Sequence, residues 1–300
     1  MEITRYLIIR PSGLGDTLLL APALHQIADK TEITLLGRRP GVDFLRPLLH
    51  RCIDYEMGGW HTLFLEEPHL KDLTFPEVDR VVSFISDPAG KVKKGLGKCL
   101  KYIPVFSFPP FPSNKEDIHV ALYLASCLKR SGLPVNPEEA VAEARRRALL
   151  RGESPARSGS IIVLHPGSGS KGKNYPHEFW LSLIKGKGLG VSHKRILVLG
   201  PAEAQWYQFF AKGLSGVEEV EIVISPEGER LLSLLKEAYL YIGHDSGITH
   251  LAAMLGAQTI ALFKNSHPLR WAPLGPDVTV IADVKPLTVI YKRIKERLHV

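Results

Sequence analysis

The sequence predicts an α/β protein with two doubly wound domains of parallel strands. Short apolar runs alternate with helical patterns along the chain, which is typical of βαβ units. The alternation breaks at a polar stretch near the middle and then restarts. A chain of 300 residues is also about as long as one hydrophobic core can organise, so we expect two domains of ordinary size.

The first half contains three clear apolar runs and two helical patterns. The runs YLIIR, EITLLG and RVVSFI predict strands at 6–10, 32–37 and 80–85. Helices are predicted over 17–30 and 138–150. Asn136 suits the N-cap of the second helix, and Pro137 suits its first turn.

A polar segment separates the two halves. Residues 151–160, RGESPARSGS, are rich in Gly, Ser and Pro and predict a linker, so domains are expected over 1–152 and 159–300. The second sheet is predicted from five apolar runs: IIVLH, RILVLG, VEIVI, AYLYIG and TIALF. The final helix carries an apolar stripe and either closes the second domain or packs back on the first; the stripe comprises Leu287, Ile290, Ile294 and Leu298. Because ligands of such sheets bind beyond the carboxyl ends of the strands, we expect a site in a cleft between the domains.

Composition and charge restrict the class of protein. The mean hydropathy is +0.01, and no apolar run reaches the roughly 18 residues of a membrane-spanning helix. The start MEITRYLIIRPSG lacks the basic region and long apolar core of a signal peptide, so a cytoplasmic protein is expected. The net charge of +7 favours anionic partners, such as nucleotides, phosphorylated lipids or membrane surfaces. The chain shows no nucleic-acid-binding signature, so nucleic acid is not an expected partner.

One apolar strand is followed by the loop HPGSGSKGKNYP, which matches two phosphate-binding patterns in part. A P-loop needs Ser or Thr after its lysine, whereas Asn174 follows Lys173, and Pro176 delays the helix start. A dinucleotide fingerprint needs an acid about 20 residues further on, whereas Glu203 lies about 30 further on. The small residues with Lys171 and Lys173 still suit a phosphate or diphosphate. The alternative is a tight strand-to-helix turn with solvated lysines.

Two further Gly-containing turns also join a strand to a helix. In YIGHDSGITHLAAMLG, Asp245 or Ser246 can cap the helix, and Gly247 allows an anion to approach the helix N-terminus closely. His250 either joins this site or packs inside its helix. In RPSGLGDTLLLAPAL, Asp16 is either a helix cap or a general base at the end of the first strand.

The order of three motifs, R-x-S-G-L-G-D, H-P-G-S-G…K-x-Y-P and D-S-G-I-T-H-L-A-A, resembles the lipopolysaccharide heptosyltransferases, glycosyltransferase family 9. The resemblance implies a GT-B fold, in which two Rossmann-like domains face a central cleft. It also implies inverting transfer of a heptose from ADP-heptose to the inner core of lipopolysaccharide, with no cofactor. The sequence contains no D-x-D motif, so no metal site is predicted.

The resemblance assigns roles within these motifs. Asp16 corresponds to the proposed base, Lys173 to a catalytic lysine on the diphosphate side, and Glu203 to an acid that contacts ribose or adenine. The expected nucleotide-sugar site comprises Gly15, Ser168, Gly169, Lys171, Glu203, Asp245, Ser246, Gly247 and His250. Tyr175 stands where the family favours Trp, and residues 264–268 depart from the family's Gly and Thr-x-Pro. The second departure bears on the sugar side and leaves the donor sugar open.

Residues 91–112 place five lysines before a tract rich in Phe and Pro. The cations and aromatic rings favour an acceptor or membrane-surface loop, with Lys91, Lys93 and Lys94 as acceptor contacts. The alternative is a solvated loop beside an aromatic segment bound to the core. The expected partners are a nucleotide sugar and a lipid-linked acceptor, with peripheral contact at the cytoplasmic face of the inner membrane.

Three other functions stay open on the sequence alone. The first is a GT-B transferase with another sugar or acceptor. The second is a P-loop kinase or ATPase, against which Asn174 argues. The third is a nucleotide-binding module without activity, against which Asp16 argues.

Overall fold

The computed structural model of the chain describes residues 3–65, 73–150, 161–186, 189, 193–282 and 287–298. The chain divides into two compact units, Met1–Glu143 and Ala144–Val300. This division falls within a helix, Pro137–Arg146. The predicted linker at 151–160 lies outside the described residues, so the predicted domain limits stay a prediction.

The first unit contains a five-stranded parallel sheet in the order β3-β2-β1-β4-β5. Its strands are β1 (Arg5–Arg10), β2 (Glu32–Gly37), β3 (Arg51–Asp54), β4 (Arg80–Ser83) and β5 (Val105–Ser107). Its helices are α1 (Leu14–Leu18), α2 (Ala21–Ile27), α3 (Gly41–Phe44), α4 (Lys91–Cys99), α5 (Val120–Arg130) and α6 (Pro137–Arg146), the last of which crosses into the second unit. The central strand β1 is buried along most of its length, because both of its faces are covered.

The second unit contains a six-stranded parallel sheet in the order β11-β10-β9-β6-β7-β8. Its strands are β6 (Ile161–His165), β7 (Lys194–Leu199), β8 (Val220–Ile224), β9 (Ala238–His244), β10 (Gln258–Phe263) and β11 (Val278–Ala282). Its helices are α7 (His177–Lys185), α8 (Tyr207–Gly213), α9 (Gly228–Glu237), α10 (Gly247–Met254), α11 (Pro268–Trp271) and α12 (Leu287–Leu298). The predicted α/β class with doubly wound parallel sheets is therefore confirmed in each unit.

Each sheet has one point at which the strand order reverses direction. In the first unit this point lies between β1 and β4, and in the second it lies between β6 and β9. The connections on either side of such a point diverge to opposite faces of the sheet and leave a crevice at the carboxyl ends of the two strands. The loops after β1, β4, β6 and β9 are therefore where ligands of this fold bind.

The helix predicted over 17–30 is two helices in the structure. Helix α1 ends at Leu18, and α2 begins at Ala21 with Pro22 in its first turn. Proline is favoured in the first turn of a helix but disrupts a helix interior, so it marks a new start here.

The final helix α12 packs against the second unit. Ile290 and Ile294 are buried in its core, and the Tyr291 hydroxyl donates to the Phe179 carbonyl oxygen at 3.0 Å. That the helix also packs back on the first domain stays a prediction.

Candidate functional site

The turn after β1 places Asp16 within the first turn of α1 and not at its cap. The cap position is Gly13, which has extended backbone angles and makes no side-chain capping bond. The turn is closed by a bond from the Ser12 amide to the Arg10 carbonyl oxygen at 2.9 Å. A carboxylate in the first turn of a helix is favoured by the helix dipole. Gly15 precedes Asp16 in the same helix and is partly exposed.

An open cavity of about 290 Å³ lies beside Asp16, and we call it the Asp16 cavity. It lies at the point where the first sheet reverses direction, since residues following β1 and β4 form most of its wall. Its lining comprises Pro11, Ser12, Asp16, Phe84, Ile85, Ser86, Pro110 and Phe111. The volume is close to the lower end of the range usual for ligand pockets, about 300 Å³.

The stretch 91–112 divides into two parts with different surroundings. Lys91, Lys93 and Lys94 are exposed on α4, whose apolar side buries Val92 and Leu96. The Phe- and Pro-rich part is half-buried: Pro110 and Phe111 line the Asp16 cavity, and the ring centres of Phe108 and Phe84 are 6.0 Å apart. The aromatic part belongs to the Asp16 cavity.

In the second unit, an ion pair joins the loops that follow β6 and β9. The Lys173 Nζ lies 2.7 Å from Oδ2 of Asp245. The Asp245 side chain is 5% exposed, and that of Lys173 is 34% exposed. Two residues predicted from separate motifs are thus in contact, because β6 and β9 are neighbours at the point where the second sheet reverses direction.

The cap of α10 is Ser246, which settles the choice between Asp245 and Ser246. The Ser246 Oγ accepts from the Thr249 amide at 3.4 Å, and the Thr249 hydroxyl donates to the His244 carbonyl oxygen. Gly247 is the first residue of the helix, whose leading amides have no partners within the helix itself. His250 is 3% exposed and packs inside the unit.

The loop after β6 differs from a P-loop. Lys171–Lys173 forms a short 3-10 turn, and α7 begins only at His177, after Pro176 as predicted. The Ser168 Oγ lies 2.6 Å from Oδ1 of Asn174, so this hydroxyl helps to shape the loop. Lys171 and Gly169, both predicted to bind the nucleotide sugar, are exposed.

Glu203 lies over two glycines at the carboxyl ends of β6 and β7. A Cβ atom at Gly167 would lie 2.1 Å from the Glu203 Cδ, and one at Gly200 would lie 2.8 Å from its Oε2. Glu203 is 9% exposed, and no described residue donates a hydrogen bond to its carboxylate. A nearly buried carboxylate is stabilised by hydrogen-bond donors, so its surroundings leave room for donors supplied by a ligand.

Two buried histidines hold the loops in place as neutral bases. The His244 Nε2 accepts from the Tyr175 amide at 2.8 Å, so its Nδ1 carries the proton and donates to the Pro166 carbonyl oxygen. Burial lowers the pKa of His244 to about 3. The His165 Nδ1 donates to the Val198 carbonyl oxygen at 3.0 Å, and burial lowers the pKa of His165 as well.

Sequence reasoning assigned no site role to two cations, Arg10 and Lys264. Arg10 is fully buried beneath the Asp16 turn. The Lys264 Nζ donates to the Asn174 carbonyl oxygen at 3.1 Å and lies 5.8 Å from the centre of the Tyr175 ring. The same sequence pattern marks both residues: each is a basic residue at the carboxyl end of an apolar strand. Functional residues are expected at this end of the strands in this fold.

The described residues form no group of three or more His, Cys, Asp or Glu side chains that could hold a metal ion. In the same part of the chain, no helix is long and apolar enough to cross a membrane.

Comparison with known proteins agrees with this fold. The chain aligns over 98% of its length with the Escherichia coli heptosyltransferase WaaC solved with ADP, covering 99% of that chain at 16% identity and a TM-score of 0.70. A Veillonella parvula family 9 glycosyl transferase aligns over 99% of this chain and 92% of its own, at 18% identity and a TM-score of 0.68. The E. coli ADP-heptose lipopolysaccharide heptosyltransferase II aligns over 99% and 98%, at 17% identity and a TM-score of 0.63.

Comparison with curated protein sequences gave no match. The family model "Glycosyltransferase family 9 (heptosyltransferase)" matches residues 54–290, which is most of the chain. The protein therefore belongs to glycosyltransferase family 9, the heptosyltransferase family.

Proposed function

We propose that the protein transfers a heptose from ADP-heptose to the inner core of lipopolysaccharide, with inversion at the anomeric carbon and without a metal ion. Membership of the heptosyltransferase family supports the reaction class. Structurally similar E. coli WaaC was solved with ADP and with ADP-2-deoxy-2-fluoro heptose. The observation that carries the proposal is the Lys173–Asp245 ion pair beside the N-terminus of α10.

The donor diphosphate binds to Lys173 and to the first amides of α10. A helix N-terminus attracts anions through its unpaired amides and its dipole, and a lysine adds a full positive charge. Asp245 holds the lysine side chain in a fixed position, since the two charged groups are in direct contact. Fixed positive groups of this kind stabilise the charge that develops on the departing ADP.

Glu203 binds the ribose of the nucleotide. An ionised carboxylate only accepts hydrogen bonds, and a ribose diol offers two hydroxyl donors. The carboxylate lies at the carboxyl ends of β6 and β7, against Gly167 and Gly200, where the loop from His165 reaches the diphosphate site. Glycine at both positions leaves this place to the carboxylate, because a side chain there would displace it.

Asp16 is the general base of the reaction. It removes the proton from an acceptor hydroxyl, whose oxygen forms a bond to the anomeric carbon while the bond from that carbon to the diphosphate breaks. The electron pair of the broken bond leaves with ADP, and the single displacement inverts the configuration. Support comes from the position of Asp16 at an open cavity large enough for part of a sugar. Such base assistance contributes about 10²–10⁴-fold to the rate.

The leaving group needs no metal ion in this proposal, since Lys173 and the α10 amides supply the positive charge. Calorimetric titration of ADP in EDTA, and again with added Mg²⁺, tests this point. Equal dissociation constants support it, and binding only with Mg²⁺ refutes it.

The acceptor is lipid-linked, and α4 contacts the cytoplasmic face of the inner membrane peripherally. Lys91, Lys93 and Lys94 are exposed on this helix and can approach anionic headgroups or acceptor phosphates. Tyr102, just beyond the helix, is fully exposed. Flotation with vesicles containing an anionic phospholipid should recover the protein in a salt-sensitive manner. Equal recovery of a variant with all three lysines changed to Glu would remove this contact from the proposal.

A second candidate is transfer of another sugar from the same type of donor. Lys264 and Asn265 bind the loop of residues 171–174, at positions where the family pattern has other residues. A calorimetric panel of ADP, UDP, GDP and NAD, followed by ADP-linked sugars, separates the candidates. Preference for ADP and turnover of ADP-heptose support the proposal, whereas preference for another base or sugar supports the second candidate.

A further inference from the structure

We propose that Arg10 is a positioning residue that fastens the Asp16 turn to the Pro110–Phe111 wall of the Asp16 cavity. The inference rests on the proposed role of Asp16 as the base. The Arg10 Nε donates to the Asp16 carbonyl oxygen at 2.9 Å, and the Arg10 Nη1 donates to the Pro110 carbonyl oxygen at 2.9 Å. One planar guanidinium group thus joins two segments that are about 100 residues apart in sequence.

The surroundings of Arg10 leave it little freedom to move. Its side chain is 0% exposed, and its guanidinium carbon lies 5.5 Å from the centre of the Phe84 ring and 5.4 Å from that of Phe111. Both rings also line the Asp16 cavity. Guanidinium groups stack on aromatic rings in a defined orientation. The position of Arg10 therefore fixes two rings of the cavity wall as well as the Asp16 backbone.

A second side chain fixes the same proline segment. The Tyr123 hydroxyl donates to the Pro109 carbonyl oxygen at 2.8 Å. Proline has no amide hydrogen, so a Pro-Pro segment can be held by hydrogen bonds only through its carbonyl oxygens. Arg10 and Tyr123 bind these two consecutive oxygens, and Arg10 alone of the two also contacts the backbone of Asp16.

Arg10 also interacts electrostatically with Asp16. The groups that interact with it electrostatically are Asp16, Tyr123 and Cys127. Burial raises the pKa of Tyr123, and it raises that of Cys127 to about 11, so both stay neutral near pH 7. Burial lowers the pKa of Arg10 to about 10, which leaves it protonated. Asp16 is thus the group of the three that is expected to carry a charge opposite to Arg10.

A buried arginine is not the choice that stability alone favours. Its Nη2 is buried and has no hydrogen-bond partner among the described residues. Apolar residues of similar volume often replace buried charges without loss of stability. A buried cation with an unsatisfied donor at this place indicates a role in the site.

Steady-state kinetics of Arg10→Lys and Arg10→Met test the inference. Lysine keeps the charge but cannot reproduce the planar arrangement of donors, so kcat/KM for the acceptor should fall about 10- to 100-fold. The dissociation constant for the donor nucleotide should not change in either variant. In Arg10→Met, the acid limb of the pH–rate profile should also move to higher pH, because a nearby cation favours the ionised carboxylate.

The matched control is Arg5→Met, at the opposite end of the same strand. Arg5 pairs with Glu77 and Asp79, and the variant should retain wild-type kinetics. Wild-type kcat/KM in Arg10→Lys would overturn the inference, as would an unmoved acid limb in a folded Arg10→Met. If Arg10→Met does not fold, Arg10→Lys decides alone. Asp16→Asn, assayed in parallel, separates the two claims, since turnover in that variant would refute the proposed base itself.

Discussion

The Asp16 turn and the Asp245 turn are built alike but use their carboxylates differently. Each follows a central strand at the point where its sheet reverses direction, and each leads into a helix. Asp245 is nearly buried and in contact with Lys173 at 2.7 Å. Asp16 lines an open cavity, and the cation of its turn, Arg10, binds its backbone carbonyl oxygen.

This difference shows how one local design provides two kinds of chemistry. A carboxylate in direct contact with a lysine holds its partner in place. A carboxylate at a cavity can meet the proton of a bound hydroxyl. The turn alone does not determine the role of the acid, because the role depends on the groups that neighbouring strands bring to it.

The largest effect is expected for Asp16→Asn. If Asp16 is the base, kcat should fall by about 10²–10⁴-fold, because the amide cannot accept the proton. Radiolabelled sugar transfer under saturating donor measures this. Asp29→Asn, at an exposed position in the same unit, should retain kcat. A decrease of less than tenfold in the kcat of Asp16→Asn would show that Asp16 is not the base. That result would contradict the comparison of the two turns.

A smaller effect, on stability, is expected for Asp245→Asn. The change leaves the Lys173 charge without its partner, which should cost about 1–3 kcal/mol of unfolding free energy, nearer the low end because Lys173 is partly exposed. Glu221→Gln, which breaks more exposed pairs with Lys194 and Arg230, should cost about 1 kcal/mol or less. Urea titration of both variants measures the difference. Equal costs would show that the Asp245 pair resembles a surface pair.

Gly167→Ala should act on Glu203 through a steric contact. The new methyl group would lie 2.1 Å from the Glu203 Cδ, so the carboxylate must move. Moving the end of this flexible side chain out of its rotamer costs about 0.5–1.5 kcal/mol. Gly169→Ala meets no atom within 4 Å and should leave the melting temperature unchanged. Thermal denaturation compares them, and equal melting temperatures would place Glu203 elsewhere.

The pH dependence of stability should reflect the neutral histidines of the second unit. The folded-state pKa of His244 is about 3, below the ordinary value of 6.5. The unfolded chain therefore binds more protons between these values, and stability falls as pH decreases below 6.5.

His244→Gln retains an acceptor but cannot take up a proton. As the pH falls from 6 to 4, the unfolding free energy of the wild type should decrease more steeply than that of this variant. The difference between the two slopes should be about 1.4 kcal/mol per pH unit. Urea unfolding at several pH values measures both slopes. His165 still titrates in this variant, so some slope should remain. Identical slopes would show that His244 does not stay neutral.

Much of the fold follows from local sequence, but the sites depend on strand order. The apolar runs at Glu32–Gly37 and Ile161–His165 predict their strands correctly. The short strands Arg51–Asp54 and Val105–Ser107 are only partly buried and lack a clear apolar pattern, so they were missed. The edge strand Val278–Ala282 was missed too, so the second sheet has six strands and not the five predicted. Pairing between β6 and β9 is non-local, and local patterns cannot reveal that it brings Lys173 to Asp245.

The site residues show the same limit. Asp16, Lys173 and Glu203 were predicted through motifs and a family resemblance, and the first two lie at the points where the sheets reverse direction. Arg10 and Lys264 were assigned no site role, because the role of each depends on a carbonyl oxygen far away in sequence. A basic residue at the carboxyl end of an apolar strand is the signal that sequence reasoning can use.

Calorimetric titration of ADP-heptose into Asp16→Asn and Lys173→Met, side by side, tests the division between the two turns most directly. We expect Asp16→Asn to bind with the wild-type dissociation constant. Lys173→Met should bind about 10- to 150-fold more weakly, the value of a hydrogen bond to a charged group. The reverse result, with binding lost in Asp16→Asn and retained in Lys173→Met, would contradict the account.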